Sequence, residues 1–186
     1  MSKFRGSILT LALLLSMSPA MAAEDGLQDH PGFVDFSTLT AMMNSEPTVE
    51  ISLKAPLLNM VTNLIRAEDE EAASFISRLL RVTVNVFDSQ AVEVDAVSDT
   101  MAAIAVDLDK EGWERVVRVR EDSSHVDIYV RMSADAELIH GIAIMVAEPY
   151  ETVLVNIVGD ISSNDIAALG RRFDIHELED LNVQAQ

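Results

Sequence analysis

Residues 113–132 read WERVVRVREDSSHVDIYVRM. Two runs alternate with period two, Trp113 to Arg120 and His125 to Met132, with Asp122 and Ser123 between them. If those two residues make the turn, Arg118 stands opposite Asp127 and Glu114 opposite Arg131. The same register puts Val117 and Val119 on one face with Val126, Ile128 and Val130. One pairing that satisfies both the charges and the apolar side chains identifies an antiparallel hairpin.

The pattern continues toward the C-terminus. Leu138 to Ala147 and Thr152 to Val158 alternate in the same way, and a turn at Pro149-Tyr150 sets Ile142, Ile144 and Val146 beside Ile157, Val155 and Val153. Four strands in succession make a meander, and its almost wholly β-branched face is expected to be the buried one. Toward the N-terminus, Val49, Ile51 and Leu53, then Val82, Val84 and Val86, mark two further strands.

Helical spacing fills the gaps. Pro56 suits a first helical turn ahead of Leu57, Leu58, Val61, Leu64 and Ile65; Ala72, Phe75, Ile76, Leu79 and Leu80 form a second stripe. Val97, Met101, Ile104, Ala105 and Leu108 form a third, closed by Gly112. Ser162 and Asp165 have capping-box spacing ahead of a last helix carrying Ile166, Leu169 and Phe173. The fold class is α+β: a largely antiparallel sheet of about six strands, including the C-terminal four-strand meander, with about four helices packed mainly on one face.

The chain has 186 residues, no Cys, and 13 basic against 31 acidic side chains. Residues 1–22 read as a signal peptide: Lys3 and Arg5, an apolar run from Ile8 to Leu15, Pro19, and Ala20-Met21-Ala22, with cleavage after Ala22. That run is much shorter than the roughly 20 residues of a membrane span, and without Cys it offers no lipid anchor. Residues 23–46 form a flexible segment that docks through Phe33, Val34 and Phe36; 47–178 form a single domain; 179–186 form a frayed acidic tail. Cleavage removes two basic residues and no acid, leaving 11 basic against 31 acidic and a net charge of -20. Such a charge repels phosphate backbones and so excludes nucleic acid as a partner. The expected destination is the periplasm, with a protein or envelope component as partner and no transmembrane span after signal removal.

Chemistry is sparse. Arg118, Arg120 and Arg131, with Arg81 on the second strand, concentrate positive charge on the polar side of the sheet beside His125 and Tyr129, a candidate interaction face for an acidic partner. The alternative is cross-strand pairing with Glu114 and Asp127, at about 0.2–1 kcal/mol per pair. Asp107, Asp109, Glu111 and Gly112 match the first half of a calcium loop, but Arg115 and Arg118 fall where its last ligands belong. His30, His125, His140 and His176 lack the spacing of a helical metal site, and Gly159-Asp160 between strand and helix lacks the glycines of a phosphate loop. No catalytic, cofactor-binding or metal-binding residue is assigned, and no cofactor is expected. The preferred function is a non-enzymatic binding or regulatory module; the alternative is a hydrolase-like enzyme using carboxylates or the His125/Asp127 face.

A resemblance covers about Pro31 to Leu178. Gly32-Phe33-Val34-Asp35-Phe36, Val49-Glu50-Ile51, Arg81-Val82-Thr83-Val84, Gly112-Trp113-Glu114 through Val119, Gly141-Ile142 and Val153 through Ile161 resemble the exported bacterial family catalogued as domain of unknown function 4252. The resemblance implies export and one domain, and brings no activity, cofactor or catalytic residue with it.

Overall fold

The structure, a computed structural model, describes residues 26–162 apart from 91 and 122, together with 165. A short 3-10 turn at Leu27–Asp29 precedes helix α1 (Ser37–Met43), strand β1 (Val49–Lys54), helices α2 (Ala55–Ile65) and α3 (Glu70–Ser77), and strand β2 (Leu79–Asp88). Helix α4 (Val94–Lys110) then leads into strands β3 (Glu114–Glu121), β4 (Ser124–Met132), β5 (Leu138–Ala147) and β6 (Glu151–Ser162). All six strands join one antiparallel sheet in the order β1-β2-β6-β5-β4-β3. The expected α+β class, the six strands and the C-terminal meander are all present. The expected last helix at Ile166, Leu169 and Phe173, like the signal segment and the acidic tail, lies outside the described residues.

The hairpin register holds at Arg118↔Asp127 and Val119↔Val126, and Glu121 pairs with Ser124, leaving two residues for the turn. It slips further along. A bulge between Arg115 and Val117 puts Glu114 opposite Val130 rather than Arg131, because one extra residue on an edge strand advances its pairing by one. Ile142, Ile144 and Val146 do pair with Ile157, Val155 and Val153.

Which face carries the main core differs from the sequence reading. Phe87, Tyr129, Ala143, Met145, Ala147 and Leu154 are the strand residues of the main core, of opposite parity to the Ile142, Ile144, Val146, Val153, Val155 and Ile157 series. Leu39 and Met43 of α1 and Val97, Met101, Ala105 and Leu108 of α4 pack on them, with Trp113 and Phe36. Small residues decide this: Gly141, Ala143 and Ala147 on β5 let helices approach the sheet closely. Among the described residues the β-branched face receives α2 and α3, which place Leu58, Phe75 and Ile76 over one end of it, against Leu53, Val82, Ile139, Ile157 and Ile161.

The N-terminal segment is more ordered than its composition suggests. Val34, Phe36, Leu39 and Met43 enter the main core, and Asp35 accepts the Ser37 amide at the entrance to α1. Asn156 of β6 fixes the strap: its side chain accepts from Val34 N and donates to Gly32 O and Ile142 O. Gly32 and Gly141 lie so close that a Cβ on either would meet backbone at 2.4 Å or less. That approach is available only to glycine. β6 also runs through Gly159-Asp160 to Ser162, where the sequence reading placed a loop, and Ser162 and Asp165 form the expected reciprocal cap.

Candidate functional site

Three arginines of the expected face, Arg118, Arg120 and Arg131, have internal partners. Asp127 is fully buried on β4, and Arg118 Nε and Arg120 Nη2 reach its two oxygens at 3.1 and 2.5 Å. The guanidinium groups are themselves 45% and 31% exposed. Their bodies seal the carboxylate while their outer edges stay wet, as long cationic side chains do. Arg131 instead donates to Gly112 O and Met132 O, where a cation suits the C-terminal end of α4. Gly112 itself has φ 81, the left-handed cap that ends the helix. Tyr129 is buried and takes a hydrogen bond from Arg115. His125 Nδ1 and Arg81 Nε are buried with no hydrogen-bond partner. Both oxygens of the Asp127 carboxylate are thus occupied by internal partners.

A second group was not foreseen. His30 on the N-terminal strap, His140 on β5 and Asp160 on β6 each offer one ligand-type atom within 4.8 Å of the others. His140 Nδ1 lies 2.8 Å from Asp160 Oδ1, and the two imidazole rings meet edge to face at 5.8 Å. The backbone creates this meeting. Between Ile139↔Ile161 and Gly141↔Val158, His140 faces the two residues Gly159 and Asp160, a bulge that re-aims Asp160. Gly159 is required there, since a Cβ would stand 2.5 Å from Arg78 O. Burial lowers the pKa of His30, outweighing the upward pull of Asp160, and His140 lowers it further. Helical spacing rules are blind to such a group because its members come from three separated segments. The signals in the sequence are Gly159 next to Asp160 and Gly141 next to His140.

His30 also borders a cleft of about 950 Å³ between the strap and the end of α4, lined by Asp29, Asp35, Asp107, Glu111 and Arg131. Lys110 offsets Asp107 at 2.8 Å.

The third feature is the largest. Beyond the end covered by α2 and α3, the β-branched face is open among the described residues. It runs from Val49 and Ile51 on β1, which are 46% and 40% exposed, across partly exposed Val84, Val155, Ile144 and Ile128, to Val117 on β3 at 38%. Contiguous exposed apolar surface of this kind often marks a binding site. The open end of the sheet, where β1, β4 and β6 begin and β2, β3 and β5 finish, carries exposed Glu46, Asp88, Glu121, Glu148 and Glu151. Among the described residues Arg120 is the basic side chain there, and it is bound to Asp127.

The family model described as Domain of unknown function (DUF4252) matches residues 43–169, more than half of the chain. The chain belongs to that family. Comparison with curated proteins and with solved structures finds no match. The DUF4252 match takes in the whole sheet, Asp127, His140 and Asp160; the strap bearing His30 precedes it. Among the described residues of this DUF4252 protein, no helix is long and apolar enough to cross a membrane.

Proposed function

We propose that the mature chain is an exported, periplasmic binding module whose working surface is the open β-branched face. The occupant is a partner protein's amphipathic segment, apolar on one side and flanked by basic residues. The observation that carries this reading is the uncovered field of valines and isoleucines bordered by five exposed carboxylates. Its apolar centre supplies binding energy, and its acidic rim selects a basic partner and speeds encounter. A second copy of the chain is a poorer fit. Two copies would bring two acidic rims together, and like charges face to face oppose association. Arg118, Arg120 and Arg131 already have internal partners in Asp127 and backbone carbonyls, which favours the opposite face as the docking surface.

The test uses a synthetic helix with leucines at i, i+3 and i+4 spacing and lysine flanks, titrated into the purified mature chain. Expected is saturable, salt-sensitive binding that Val155→Glu weakens more than tenfold while circular dichroism stays unchanged. Binding indifferent to that substitution overturns the proposal. A concentration-dependent dimer abolished by the same substitution would assign the face to a second copy. Binding seen only after removal of residues 166–186 would assign it to the chain's own C-terminal segment.

A further inference from the structure

We propose that His30, His140 and Asp160 form a binding site for a divalent transition cation of the zinc class. Three separated segments converge there with two imidazoles and one carboxylate, all within 4.8 Å. Two nitrogens and one oxygen are the donor set of open, three-ligand zinc sites, with the remaining position left to water or a further ligand. The set is too nitrogen-rich for calcium or magnesium, which take oxygen.

The group is built into the fold. Asp160 is aimed at His140 by the β5–β6 bulge, which Gly159 makes possible. His30 is delivered by a strap that Asn156 clamps at Gly32 and Val34. In the ion-free state the inward nitrogens are held by hydrogen: His140 Nδ1 bonds Asp160, and Gly32 N donates to His30 Nδ1 at 3.1 Å. A cation takes the place of the hydrogen between His140 and Asp160, and His30 supplies a ring nitrogen to it. Asp160 is 54% and His140 21% exposed, and His30 borders the carboxylate-lined cleft, so a hydrated ion has a path in. The site lies at the far end of the sheet from the acidic rim and is independent of the docking surface.

The experiment is titration of the chelator-treated, untagged mature chain with zinc in competition with a chromophoric chelator, repeated with cobalt for its visible ligand-field spectrum. Expected is one equivalent bound, a cobalt spectrum of low coordination number, and no competition from excess magnesium or calcium. His30→Gln and Asp160→Asn should each weaken binding at least tenfold. Asp160 is exposed, so its variant is expected to fold, with circular dichroism as the check. Zinc should raise the thermal midpoint of the native sequence and not that of the variants. Absence of stoichiometric binding overturns the proposal, and so does binding of equal strength in both variants, which would place the ion on surface carboxylates elsewhere.

Discussion

Stranding Asp127 should cost far more than removing it. The carboxylate is 0% exposed, whereas Arg118 and Arg120 are 45% and 31% exposed, so the two halves of this cluster respond differently to loss of a partner. Changing both arginines to Met leaves a buried charge with neither counter-ion, a situation worth about 3–5 kcal/mol of destabilisation. Asp127→Asn leaves two guanidiniums that can turn outward into water, and solvent screening of their wet edges limits the loss to about 1–2 kcal/mol. Either arginine alone should cost little, because the other still holds one oxygen; the double variant should exceed the sum of the singles. Changing Asp127 to Leu in the double Met background should restore stability to within about 1 kcal/mol of the native chain. Urea unfolding followed by Trp113 fluorescence measures the native chain and all five variants, with the slope checked for constancy. The reasoning fails if Asp127→Asn costs as much as the arginine pair, or if the pair costs less than about 1 kcal/mol, the level of an exposed pairing.

Other outcomes follow from the strap and its contacts. Gly141→Ala drives a Cβ to 2.7 Å from the Trp113 ring and 2.4 Å from Gly32 O; we expect about 2 kcal/mol or more of destabilisation and red-shifted emission from the chain's single tryptophan. Asn156→Ala removes three hydrogen bonds and leaves the Val34 amide buried without a partner, which should cost about 2–4 kcal/mol and accelerate hydrogen exchange at Val34; exchange unchanged from the native chain would refute the clamp. In the β4–β5 turn, Asp135 accepts from Ser133 Oγ and Glu137 N, and these bonds hold its carboxyl below the ordinary 3.8. Its contribution is therefore present above pH 3.8 and lost as pH falls through the lower folded value; a titration midpoint of the Glu137 amide resonance at or above 3.8 would contradict this.

The meander was legible because two independent patterns, charge pairing at Arg118 and Asp127 and β-branched alternation, selected one register. Face assignment failed on β5, where Ala143, Met145 and Ala147 are apolar on one side and Ile142, Ile144 and Val146 on the other. Alternation alone cannot rank two apolar faces, and the smaller side chains took the helices because backbones approach more closely there. The bulge at Arg115 to Val117 left no trace in a stretch that alternates on either side of it. The bulge opposite His140 had a cue in Gly159, but a glycine near a strand end reads equally well as a loop. Helix α1 was missed because Thr38 and Thr40 weaken helical propensity, and its stability comes from Leu39 and Met43 in the core rather than from its own turns. The boundary between α3 and β2 was misplaced at Leu79 and Leu80, which fit a helical stripe as well as a strand start. The histidine and aspartate group depends on all of these long-range placements together, so no local spacing could reveal it.

In the proposed complex the open β-branched face, and not the arginine face, meets the partner. Isoleucine and valine methyl NMR of the mature chain, recorded while the leucine and lysine helix is added, addresses it directly, since both faces carry these methyls. Expected are shifts confined to Ile51, Val84, Ile128, Ile144 and Val155, with Val34 and Val97 of the main core silent. Shifts centred on Val34 and Val97, or scattered without preference for either face, would overturn the proposal.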